Sequence, residues 1–151
     1  MDGSEFIAYL TGKDAVAACA FADRIVHESR ECDCWYPYFD ETAALLCHKN
    51  SLVRNRAIEI LAANARWDTD CKLDRVMDEL LSHVTDEKPI TVRQCIKALP
   101  EIATGKPNLI PRIRSALENA DLTSYRDSMQ PLILRDIMSA LQQLATLENG
   151  A

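Results

Sequence analysis

The feature that most constrains this chain is one helical segment that recurs. Ser51-Leu52-Val53-Arg54-Asn55-Arg56-Ala57-Ile58 aligns with Ile90-Thr91-Val92-Arg93-Gln94-Cys95-Ile96-Lys97, and both align with Leu132-Ile133-Leu134-Arg135-Asp136-Ile137-Met138-Ser139. The arginines at 54, 93 and 135 stand 39 and 42 residues apart, and a fainter copy begins at Val16, 37 residues before Val53. Each copy follows a loop, and most follow an amphipathic helix. A period near 40 with two helices per unit forces stacking, because one helical hairpin cannot bury its apolar face alone.

Apolar spacing near 3.6 residues recurs along the chain, and no stretch alternates like a half-buried strand. With 4 Gly and 6 Pro in 151 residues, the chain lacks the turns a β-rich domain needs. The reading is all-α. A first short helix is expected after Ser4 as N-cap and ends at Gly12. Further helices are expected over Ala15–Ser29, Pro37–His48, Ser51–Arg66, Lys72–Val84, from Pro89 to before Gly105, over Asn108–Asn119 and over Ser128–Leu147. Pro100 falls inside the sixth and predicts a kink, since proline lacks the N–H and clashes with the preceding turn. The length suits one domain, 1–151.

The residues also carry a resemblance. Val-Arg at the start of the second helix of a pair, with an Asp in the turn before it, resembles the HEAT (armadillo-type) repeat. Asp86 precedes Val92-Arg93 and Asp127 precedes Leu134-Arg135, whereas Asn50 stands before Val53-Arg54. The resemblance covers roughly residues 36–147, with a degenerate unit before it. It implies a right-handed α–α superhelix, a short solenoid of about four helical hairpins with the second helices inside. It also implies that the Asp and Arg residues join neighbouring turns in a ladder.

Columns of the alignment sort the inner helices. Val53, Val92 and Leu134 form one apolar column, Ala57, Ile96 and Met138 a second, and Ile60, Leu99 and Leu141 a third. Their i, i+4, i+7 spacing is a core stripe, so Val53, Ile96, Leu99, Met138 and Leu141 are expected to be buried. Arg54, Arg93 and Arg135 form a polar column, and Asn55, Gln94 and Asp136 form the next. One turn on come Ile58, Lys97 and Ser139, then Ala62, Glu101 and Gln143. Two readings stand here: a solvated face with the arginines as turn structure, or a ridge that binds a partner. The expected partner site is Arg54, Asn55, Arg93, Gln94 and Lys97, extended by Arg135 and Asp136. Trp67 and Tyr125 are candidate anchors at its edge, and Trp67 has the alternative role of plugging a joint between units. Basic side chains on such a ridge suit an acidic protein or peptide.

Charge narrows the function classes. There are 17 Lys plus Arg against 23 Asp plus Glu, a net charge of -6, which disfavours general nucleic-acid binding and docking on anionic lipid. The longest apolar run, Ala15–Ala22, is far short of a membrane span. The start Met1-Asp2-Gly3-Ser4-Glu5 is acidic where a signal peptide is basic. The expectation is a cytoplasmic protein with six free thiols under reducing conditions. Cys32-x-Cys34 lacks zinc-site spacing and a second matching pair, so no metal or other cofactor is expected; Cys47 and His48 would be the further ligands to examine. No nucleophile elbow, His-Glu-x-x-His or phosphate-cradling glycine loop occurs. The leading reading is therefore a non-catalytic protein- or peptide-interaction module. A HEAT-like DNA glycosylase for alkylated bases is one alternative, with Arg54, Arg93, Lys97 and Trp67 on its face. An accessory protein in Suf-type iron–sulphur assembly, or in prosthetic-group attachment like the phycobilin lyases, is the other.

Overall fold

The computed structural model describes residues 1–150, so the expected domain 1–151 includes one residue, Ala151, outside the described part. The described residues are helical and turn, with no strand. Eight α-helices follow in order: α1 Gly3–Thr11, α2 Ala15–Ser29, α3 Phe39–Ala44, α4 Ser51–Asn64, α5 Lys72–Ser82, α6 Pro89–Gly105, α7 Ile110–Glu118 and α8 Gln130–Asn149. Short 3-10 turns flank α3 and continue α4 and α5, which explains why the apolar periodicity runs a few residues past those helices. No helix is long and apolar enough to cross a membrane.

Local chemistry sets the helix starts. Asp14 accepts the Val16 and Ala17 N–H groups, both at 3.1 Å, and Asn50 accepts from Leu52 at 2.9 Å. The first helix begins earlier than expected because Asp2, not Ser4, is its cap. For α5 the cap comes from a distance. Asp68 accepts the N–H groups of Lys72 at 2.9 Å and Leu73 at 2.8 Å, and Cys71 between them takes the left-handed conformation. Pro100 sits inside α6, which continues unbroken to Gly105.

The longer helices pack in chain order, α2 on α4, α4 on α6 and α6 on α8. One apolar cluster threads them from Phe6 to Leu144. At the α4–α6 crossing the backbones nearly touch. A Cβ on Gly105 would lie 2.7 Å from the Arg66 nitrogen and 2.8 Å from the Ala65 carbonyl carbon, so only glycine fits there.

Val53, Ile96 and Leu99 are buried. Met138 is not: it is 62% exposed, and Leu141 is only half-buried. The buried stripe of α8 is Ile133, Ile137, Ala140 and Leu144. The third copy is therefore shifted by one residue, with Ile133 rather than Leu134 equivalent to Val53 and Val92. The expected set of six free thiols is also corrected. Cys32 and Cys34 form a disulfide, because the turn after α2 brings their Cα atoms to 5.4 Å. The free cysteines are Cys19, Cys47 and Cys71 on the surface and Cys95 inside. Burial pushes the Cys95 thiol up, so it stays protonated.

Candidate functional site

The expected ridge residues fall into three groups. Arg54, Asn55, Trp67 and Tyr125 are committed to internal joints. Arg54 is 6% exposed. Its guanidinium grips Asp86 through Nε at 3.0 Å and Nη2 at 2.8 Å, and its Nη1 donates to the carbonyls of His48 at 2.9 Å and Lys49 at 3.3 Å. The His83 ring lies 2.7 Å from Asp86 through Nδ1, and the Lys88 N–H donates to Asp86 at 2.8 Å. Burial alone would raise the Asp86 carboxyl. The hydrogen bonds from Arg54, Lys88 and His83, with the Arg54 charge, outweigh it and hold the group below the usual carboxylate range. Tyr125 is buried and its hydroxyl donates to the Asp86 carbonyl at 2.6 Å. Asn55 accepts from Thr91 at 2.6 Å. Trp67 donates its indole N–H to the Ser29 carbonyl at 2.6 Å. It closes the joint between α2 and the end of α4.

Arg93 and Asp136 form the second group. Nε of Arg93 lies 2.6 Å from Asp136, and the pair is partly open to solvent. That hydrogen bond and charge raise the Arg93 pKa further. Arg135 stands apart, exposed on α8 with no side-chain hydrogen bond or ion pair among the described residues.

Gln94 and Lys97 form the third, and they line a groove. Its first part, about 230 Å³, lies between Val26 and Arg30 of the α2 end, Glu59 and Ala62 of α4, and Gln94, Lys97, Ala98 and Glu101 of α6. An adjoining part of about 340 Å³ shares Glu59 and Gln94 and continues to Asp23, Leu52 and Asn55. At one wall Glu101 holds Arg30 at 3.2 Å and Arg66 at 3.3 Å. Glu59 has no such partner among the described residues. Its carboxyl is pushed up by burial, then by Asp23 and Glu101, with Arg30 opposing. The groove thus offers an amide and an exposed ammonium on adjacent turns of α6 and a half-buried carboxylate from α4.

Sequence reading missed Glu59, Asp23 and Arg30. A signal existed for Glu59, which is the one acidic residue of α4. The α2 residues were hidden because the alignment of that copy is faint. Among the described residues, no group of three or more His, Cys, Asp or Glu side chains converges as a metal site.

No protein-family model matches the chain, and no curated protein matches it. A solved structure does resemble it, the crystal structure of an engineered protein. The TM-score is 0.55 at 19% sequence identity, covering 97% of this chain and 68% of the other. At that identity the likeness concerns the fold alone.

Proposed function

We propose that this chain is a non-catalytic protein- or peptide-interaction module, a short HEAT-like solenoid of right-handed hand that holds its partner in the α2–α4–α6 groove. The order in which α2, α4, α6 and α8 pack supports the repeat reading. The observation that carries the binding site is the convergence of Glu59, Gln94 and Lys97 on one groove, while their neighbour Arg54 is locked in a joint. Side chains projecting from packed helices lose little freedom on binding. An acidic partner group pairs with Lys97, and a basic or neutral donor on the same segment meets Glu59. Attraction of this kind weakens as salt rises.

The test is affinity capture on the immobilised chain, run beside a Gln94→Ala/Lys97→Glu variant whose circular dichroism is unchanged. Proteins retained by the wild type and released by the variant support the groove. A partner that binds both equally places the contact elsewhere.

A further inference from the structure

The one-residue shift in the third sequence copy changes the meaning of α8. With Ile133 equivalent to Val53, residues Leu134, Met138, Leu141 and Ala145 correspond to Arg54, Ile58, Leu61 and Ala65. Those four residues of α4 and the turn that continues it are all buried. They run from the Asp86 contact to the Gly105 contact, which makes them the flank of α4 turned toward α6. Among the described residues α8 packs chiefly on α6 and α7, which leaves the same flank of α8 open. Leu134 is 50% exposed and Met138 62%, with Ala145 exposed beside half-buried Leu141. No charged residue occurs from Ile137 to Leu147, in a chain that is 26% charged. A solvent-facing flank of a helical stack is normally polar. An exposed apolar stripe depleted of charge has the composition of an interface core.

We propose that this flank forms a two-fold homodimer, with α8 packed antiparallel on α8 of a second copy and crossing beside Leu141. The sequence is self-complementary about that point. Met138 of one copy meets Ala145 of the other, large against small. Arg135, which has no hydrogen bond or ion pair among the described residues, meets Glu148 of the other copy. Glu148 is held by Arg114 and remains partly exposed. A two-fold contact closes on itself, whereas head-to-tail stacking continues into filaments. Head-to-tail stacking meets a less matching surface: the exposed flank of α2 carries Val16 and Ala20 but then Arg24 and His27, with Arg24 paired to Glu28. This inference is independent of the groove, which lies on α2, α4 and α6.

Sedimentation equilibrium over a micromolar concentration series, with reductant present, tests it. Wild type is expected at twice the monomer mass. Met138→Glu is expected to sediment as monomer with an unchanged helical spectrum, since that side chain is already exposed. Arg135→Glu and Glu148→Arg should each weaken the dimer about tenfold alone, and their equimolar mixture should recover it. A monomeric wild type overturns the proposal. So does growth beyond the dimer, a dimer untouched by Met138→Glu, or a mixture no tighter than its components.

Discussion

Two arginines occupy the same place in the sequence pattern and end in different joints. Arg54 and Arg93 each follow the valine that starts an inner core stripe. Arg54 reaches across to Asp86 in the turn before α6 and is buried with it. Asp127 holds the matching offset, six residues before Ile133 as Asp86 is before Val92, yet it stays exposed and Arg93 binds Asp136 instead. The neighbours decide. Where α8 carries Asp136, the equivalent position of α6 is Cys95, a buried thiol that gives Arg54 no competing carboxylate. A repeat pattern thus fixes where an arginine starts, and the nearest carboxylate fixes what it becomes: a sealed lock at one joint and a solvated clamp at the next.

Energetics should separate the two joints. Asp86→Ala strands a buried guanidinium and removes an acceptor from the α6 start. It is expected to cost about 3–5 kcal/mol in denaturant unfolding. The Asp86 carboxyl is held low in the folded state, so its contribution is complete above its unfolded value near pH ~3.9 and fades as pH falls through the folded value. The gap between wild type and Asp86→Ala should therefore be constant from neutral pH down to about pH 5 and shrink below it. Tyr125→Phe leaves the Asp86 carbonyl without its side-chain donor and should cost about 1 kcal/mol by the same measurement. Arg93→Ala should cost less than Tyr125→Phe, because the Arg93 side chain is a third exposed and water can take its place beside Asp136. Asp127→Ala should leave the thermal midpoint unchanged within error; a loss matching that of Asp86→Ala would show that Asp127 carries a ladder rung after all.

Much of this was legible in the chain. Helix positions followed from apolar spacing, which acts within a few residues, although the cap expected at Ser4 is Asp2. The third copy was misaligned because Ile133 and Leu134 are both apolar, and Arg135 drew the alignment onto the Val-Arg pattern. Only packing against α6 distinguishes the two stripes of α8. The groove was half visible: Gln94, Lys97 and Asn55 line it as the polar columns implied. Glu59 and the α2 wall depend on which helix lies across from α4. Arg54 and Tyr125 looked available because sequence shows the charge or the ring and not the carboxylate or carbonyl, 32 and 39 residues away, that satisfies it.

The most direct test of the lock-and-clamp account is a pair of double-mutant cycles in denaturant unfolding, Arg54→Ala with Asp86→Ala and Arg93→Ala with Asp136→Ala. The account predicts a coupling of about 2 kcal/mol in the first cycle and none outside error in the second. Equal couplings, or a larger one between Arg93 and Asp136, would contradict it.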